Sequence, residues 1–329
     1  MFRGLLIEKT TDGAQRVALT DIDERQLPPG DVAVRVSHSS INYKDALAIT
    51  GKAPVVRAFP IVPGIDLAGV VEHSTAPDIA IGTSVLVTGC GIGETTWGGL
   101  AQKACVAAES VIAIPAPLSA REVMAIGTAG FTAMLSVMAL ERHGLVPARG
   151  PVLVTGASGG VGSFAVGLLA RLGYRVVAST GRPAEAPYLE RLGASQIIER
   201  AELASPGRAL GKERWAGAID SVGSHTLVNA CACTQRGGAV AACGLAQGMD
   251  FPGTVAPFIL RGVSLLGIDS NFPPRPERER AWQRLASLCD PVWFREVARD
   301  ITLDQVIARA GDVIAGRVRG RLVVDVAGS

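Results

Sequence analysis

The chain has 329 residues, 48% hydrophobic and 19% charged, with 39 glycines and a net charge of +2. That length accommodates one large or two ordinary domains and a sizeable core. A near-neutral, interspersed charge balance excludes the footprint of a nucleic-acid binder, and the composition excludes fibrous and disordered classes.

Residues 1–8 open directly into a strand-like run, with no apolar signal region and no cleavage site. No uninterrupted apolar stretch is read as reaching the roughly 18 residues of a membrane span, so no membrane partner is expected. The first 120 residues read as short strands separated by turns. Asp31 to Ser37 alternates after the turn Pro28-Pro29-Gly30, and Leu67 to Glu72 and Ser84 to Thr88 follow the same habit. Glycine and proline punctuation suits a compact, barrel-like antiparallel unit.

The character changes at Ser119-Ala-Arg-Glu122, a capping box ahead of a helix rich in Ala, Met and Leu. Strands and helices then alternate: strands at 151–155, 175–179, 195–199, 216–220, 238–243 and 263–268, and helices at 160–172, 184–192 and 225–233. This order predicts an α/β fold with a doubly wound parallel sheet. Pro273-Pro274-Arg275-Pro276 is a stiff break before a charged helix from Glu277. Arg321 to Val326 closes the chain as a strand, which is expected to return to the sheet of the first domain.

Six cysteines (Cys90, Cys105, Cys231, Cys233, Cys243 and Cys289) lie mostly in apolar contexts with no CxxC pair. Buried, reduced thiols and a cytoplasmic setting are expected, rather than disulfides or a metal.

The stretch VLVTGASGGVG at 152–162 runs from a strand into a helix through four glycines. Ser158, Gly159, Gly160, Val161 and Gly162 therefore read as a pyrophosphate cradle. Gly159 permits close backbone approach, Gly162 permits helix–strand packing, and the helix N-terminus offers free N–H groups. Ala157 stands where the usual fingerprint has its first glycine. The next strand ends Thr180-Gly181-Arg182, with no acid from 174 to 184. A carboxylate there would bind a ribose 2′-hydroxyl and repel a 2′-phosphate. A hydroxyl and a guanidinium attract the phosphate, so the expected cofactor is NADP(H).

With INYKDALAITGK, FPIVPGIDLAGVV, VLVTGASGGVG, ASTGR and LLGIDS in order, the chain resembles the medium-chain dehydrogenase/reductase superfamily over essentially its whole length, in its zinc-free quinone oxidoreductase-like branch. The resemblance implies a GroES-like catalytic domain at 1–122 and 272–329 and a Rossmann NADP-binding domain at 123–271. It implies NADPH-dependent reduction of the activated C=C of acryloyl-CoA to propanoyl-CoA, with NADPH:quinone or short-chain enone reduction as the alternative. Zinc-dependent relatives carry a Gly-His-Glu turn where this chain has Gly64-Ile65-Asp66. His38 and His73 are lone, so no metal is expected.

Tyr43 is the candidate catalytic donor, with Asn42 beside it and Asp45 setting the loop. Tyr43 either donates to the substrate or only contacts the nicotinamide, and it contacts the cofactor on both readings. Carried over by position as cofactor contacts are Arg200, Leu245, Ile259, Ser270 and Arg317. Lys52 and Arg57 are candidate cations for a CoA thioester, and the apolar strand 263–268 predicts a homodimer through a sheet edge.

Overall fold

The computed structural model describes residues 1–328. The chain forms two compact units. One comprises Met1–Thr128, Asn271–Ala286 and the chain from Val297 onward, and the other Ala129–Ser270 and Ser287–Glu296.

In the first unit the strand Val32–Ile41 organises a seven-stranded sheet. Asp66–Ser74 pairs antiparallel along one edge. Lys103–Val106 and Arg321–Asp325 share the other edge, covering its first and last residues. Ser84–Thr88 and Ile112–Ala113 extend one side, and Ala298–Thr302 lies parallel to Arg321–Asp325 on the other. A separate hairpin pairs Phe2–Lys9 with Gln15–Ile22. The C-terminal strand thus joins this sheet, as its apolar pattern requires, with Leu322 opposite Ile41 and Asp325 opposite His38. Val32, Val34 and Val36 point into a core shared with Leu5, Leu67, Val87, Leu100 and Val324. Beyond them the alternation fails, because Ser39, Ser40 and Ile41 are all buried. Two hydroxyls buried in succession need partners, and these partners build the first part of the site.

In the second unit six parallel strands run in the order Ala194–Glu199, Val176–Thr180, Val152–Val154, Trp215–Asp220, Thr234–Ala242 and Ser264–Gly267. Numbered by sequence this is 3-2-1-4-5-6, the doubly wound dinucleotide-binding order, whose switch point lies between Val152–Val154 and Trp215–Asp220. Val152, Leu153 and Val154 are wholly buried, because a parallel strand is covered on both faces.

Three expectations are corrected. Residues 287–296 do not belong with the rest of the C-terminal segment but with the second unit. There Trp293 packs 5.0 Å from Phe164 and lies so close over Gly167 that a Cβ would fall 2.4 Å from its ring. The helix expected from Glu277 begins at Arg275 (Arg275–Leu288), because a proline is accommodated in a first helical turn, where its missing N–H is no loss. The helix Ala120–Arg142, opened by the capping box of Ser119 with Glu122, is long and apolar enough to cross a membrane by length and composition. Its residues are almost all buried inside the protein, and it is broken at Gly127.

None of the six cysteines forms a disulfide among the described residues. Cys231 is buried and the other five are only partly so.

Candidate functional site

The nucleotide cradle of the second unit grows from two strand ends. The strand Val152–Val154 leads into a turn whose last residue, Gly159, caps the helix Gly160–Arg171. A Cβ at Gly162 would fall 2.3 Å from the Gly156 carbonyl oxygen, so the helix packs on the turn only because this residue has no side chain. A Cβ at Gly159 would meet only the Gly156 oxygen, at 3.3 Å, which leaves its outer face bare for a ligand. The first-turn N–H groups of the helix there carry the partial positive charge that favours a pyrophosphate.

Next to it the strand Val176–Thr180 ends in hydroxyls and cations. The Ser158 and Thr180 hydroxyls are 3.1 Å apart. The Arg182 guanidinium folds back to donate from Nη2 to Ser158 O at 3.0 Å and to Ser158 Oγ at 2.9 Å. Arg200, at the end of the third strand, lies against Gly181, where a Cβ would sit 2.8 Å from its Cζ. Thus Ser158, Thr180, Gly181, Arg182 and Arg200 gather at one corner, with two guanidinium groups and two hydroxyls. That donor set suits a phosphate monoester, and the residues present fit the 2′-phosphate of NADP(H).

Across the switch point, sequence reasoning missed Asp220 and Thr155. Asp220 is fully buried at the end of Trp215–Asp220. It accepts from Thr155 Oγ1 at 2.6 Å and from the backbone N–H of Val222 and Gly223. Ser221 Oγ returns a bond to Thr155 O at 3.1 Å, so the two loops flanking the switch point are tied together. Burial pushes the Asp220 carboxyl above its usual range, against the pull of these donors. A carboxylate closing an apolar strand is the sequence signal that marks it.

Leu245 lies in the loop after the strand Thr234–Ala242 and Ile259 on the short helix Ala256–Arg261, and they are 47% and 73% exposed; Ile259 is therefore not core. Ser270 is half-buried at the end of this unit. Arg317, on the first unit, is exposed and pairs with Asp312, with Nη2 at 2.7 Å from Oδ1.

In the first unit the helix Tyr43–Thr50 starts immediately after the strand Val32–Ile41. Tyr43 is 40% exposed, and its hydroxyl has no hydrogen-bond partner among the described residues. Asn42 is placed differently from expectation. It is buried, and its amide is turned into the protein rather than toward a ligand. Its Nδ2 donates to Asp66 Oδ2 at 2.7 Å and to Asp45 Oδ2 at 3.2 Å, while its Oδ1 accepts from Arg321 Nη1 at 2.9 Å. With both ends of the amide engaged, Asn42 is a scaffold for Tyr43 and not a second donor.

Asp45 does hold the loop: its Oδ2 accepts from Asn42 N at 2.8 Å and its Oδ1 from Ile65 N at 2.9 Å. Asp66 and Arg321 complete this buried group, although the sequence marks them only as a turn residue and the start of a strand. Asp66 also accepts from Ser40 Oγ at 2.6 Å and from Thr128 Oγ1 at 2.6 Å. The backbone makes this possible at Gly127, where φ of 51° breaks the helix and brings Thr128 N within 3.0 Å of Asp66. Any Cβ at Gly127 would lie 2.3 Å from Arg321 Nη2, in a backbone region L-residues rarely adopt.

Asp66 occupies the position where zinc-dependent relatives carry their glutamate, and its oxygens are already taken by internal donors. Among the described residues no group of three or more His, Cys, Asp or Glu side chains is placed to hold a metal. His38 sits within the strand Val32–Ile41, not at its end. Its Nδ1 is 3.0 Å from Ser37 Oγ, and burial lowers its pKa.

Comparison with known proteins matches residues 28–116 to the alcohol dehydrogenase GroES-like domain and residues 160–287 to the zinc-binding dehydrogenase family. The probable acrylyl-CoA reductase AcuI of Escherichia coli K12 is 50% identical over 324 residues, covering 98% of this chain and 99% of that protein. The acrylyl-CoA reductase AcuI of Ruegeria pomeroyi is 48% identical over 328 residues, covering 99% of each. The crystal structure of the yhdH oxidoreductase from Salmonella enterica in complex with NADP superposes with a TM-score of 0.96 at 50% identity, covering 98% of this chain and 99% of that one. Identity at this level from end to end, on a GroES-like unit and a Rossmann sheet of matching order, means that the chain belongs to the acrylyl-CoA reductase branch of the medium-chain dehydrogenase/reductase family.

Proposed function

We propose that this chain reduces the activated C=C of acryloyl-CoA to propanoyl-CoA with NADPH. The observation that carries the substrate is the full-length identity of 48–50% to two acrylyl-CoA reductases. The residues support the rest. The N–H groups of the turn 159–162 hold the pyrophosphate, and Ser158, Thr180, Arg182 and Arg200 hold the 2′-phosphate. When bound, NADPH supplies the hydride that reaches the β-carbon of the thioester. Negative charge then develops on the thioester oxygen and the α-carbon takes up a proton. Tyr43, with a free and exposed hydroxyl, is the donor that stabilises this charge. Lys52 and Arg57 are exposed on the same unit as Tyr43 and offer cations to the CoA phosphates.

The reduction runs without zinc, because an enolate is held by hydrogen-bond donors and the Asp66 carboxylate is committed to Arg321, Asn42, Ser40 and Thr128. NADPH oxidation followed in parallel with acryloyl-CoA, crotonyl-CoA and a quinone tests both points. The highest kcat/KM is expected with acryloyl-CoA, unchanged by a chelator. Faster turnover of the quinone would overturn the substrate, and a loss on chelation restored by zinc would overturn the metal-free chemistry.

The chain is further read as a cytoplasmic homodimer. Six cysteines with no disulfide among the described residues suit a reducing compartment. Ser264–Gly267 is an edge strand of the parallel sheet, with Ile259, Leu260 and Leu265 exposed on and beside it. A two-fold copy covers both the open edge and the apolar side chains. Light scattering at micromolar concentration is expected to give twice the chain mass, and a monomer there would overturn the pairing.

A further inference from the structure

Three charged side chains, Asp45, Asp66 and Arg321, are buried to 1%, 0% and 3% exposure, and none takes part in a chemical step above. Two formal negative charges face one positive charge. Asp66 has the better share: four neutral donor groups and Arg321 Nη2 at 3.5 Å surround its oxygens. Arg321 is fixed in turn by Ala125 O, Asn42 Oδ1 and Ser40 Oγ. Asp45 has no bonded cation. Its partners are neutral donors, namely Asn42 N, Asn42 Nδ2 and Ile65 N.

All three bonds suit a carboxylate. A protonated Asp45 brings an O–H into a ring of donors and becomes a neutral, weaker acceptor, so gaining the proton loosens its hold on Asn42 and Ile65. Asn42 immediately precedes Tyr43, so a loosened bond there is felt at the tyrosine.

We propose that Asp45 is a positioning residue whose charge state sets the shape of the Asn42–Tyr43 turn, with the Asp66–Arg321 pair as the fixed anchor, so that the reduction slows as Asp45 gains its proton. The proposal rests on Tyr43 being the donor to the thioester. Burial first, and Asp66 second, push the Asp45 carboxyl from 3.8 up to about 7, which puts the change in the neutral range. Other charges on packed elements are already paired. Lys44 Nζ lies 2.7 Å from Glu94, and on the helix Val306–Ile314, which packs against Tyr43–Thr50, Arg309 lies 3.1 Å from Asp312.

The test compares the wild type with Asp45→Asn, which keeps the size and one acceptor but cannot titrate. With acryloyl-CoA and saturating NADPH, wild-type kcat is expected to fall as pH drops through about 7. Asp45→Asn is expected to have a lower plateau and no such limb. A purely structural role would lower kcat by one factor at every pH and leave the limb in place, which overturns the proposal. Tyr43→Phe gives a second route should Asp45→Asn not fold, because its residual rate is expected to be flat over the same range; a retained limb overturns the coupling.

Thermal unfolding reads Asp45 without any substrate. The folded pKa stands above the unfolded value of 3.8, so the folded chain keeps a proton that the unfolded chain has released. This stability is present below pH 3.8, is lost as pH rises to about 7, and does not change beyond. The wild-type Tm minus that of Asp45→Asn should therefore decline across that window, and parallel curves overturn the titration. Absence of acryloyl-CoA turnover at every pH would sink the substrate reading instead, with the unfolding comparison still deciding Asp45.

Discussion

Tyr43→Phe is expected to lower kcat and kcat/KM together by about 10²-fold, the usual loss for one oxyanion donor. In the proposed role the hydroxyl stabilises charge that exists only as the β-carbon is reduced, so its removal raises the barrier and leaves the ground state alone. Phe keeps the aromatic ring, and the hydroxyl it removes has no bond within the described residues, so folding loses nothing by the change. The buried partners of the turn, Asn42 with Asp66 and Arg321, are untouched. Steady-state rates with acryloyl-CoA at saturating NADPH decide the matter. A near-wild-type kcat with a raised KM for NADPH would show that Tyr43 serves only as a surface for the cofactor and would leave protonation to water.

Arg182→Ala is expected to weaken NADPH by about 1.5–3 kcal/mol, roughly 10- to 150-fold in Kd, and to leave NADH nearly unchanged. The guanidinium is held in place by Ser158 before any ligand arrives, at 2.9 and 3.0 Å, so little side-chain entropy remains to be lost on binding. Arg200, lying against Gly181, keeps one cation at the corner and limits the loss. Fluorescence titration with both cofactors measures the difference. Equal weakening of NADPH and NADH would place Arg182 elsewhere than on the 2′-phosphate.

Both predictions began as sequence patterns, yet the structure treats their neighbours unequally. Around Arg182 the local order of residues was enough. Ser158, Thr180 and Arg182 stand at the ends of adjacent parallel strands, and strand order follows from the alternation of strands and helices. Arg200, one strand further, comes to the same corner for the same reason. Around Tyr43 the pattern marked the tyrosine and its neighbour alike, and the structure turns the neighbour inward. Asn42 has the chemistry of a donor, but its amide is drawn inward by Asp66 from 24 residues away and by Arg321 from 279 residues away. Arg317, also near the chain end, pairs instead with a local acid, Asp312.

The sequence by itself determined the two-part architecture, the glycine turn, the preference for a 2′-phosphate and the return of the last strand to the first sheet. Each of these depends on periodicity or on residues close together along the chain, where backbone geometry leaves few choices. Only the tertiary structure decided which polar groups face inward: the buried partnership of Asp45, Asp66 and Arg321, the helix break at Gly127 that lets Thr128 reach Asp66, and the attachment of 287–296 to the Rossmann unit through Trp293. A buried charge is tolerated only where donors from several distant segments converge on it, and such convergence has no period along the chain.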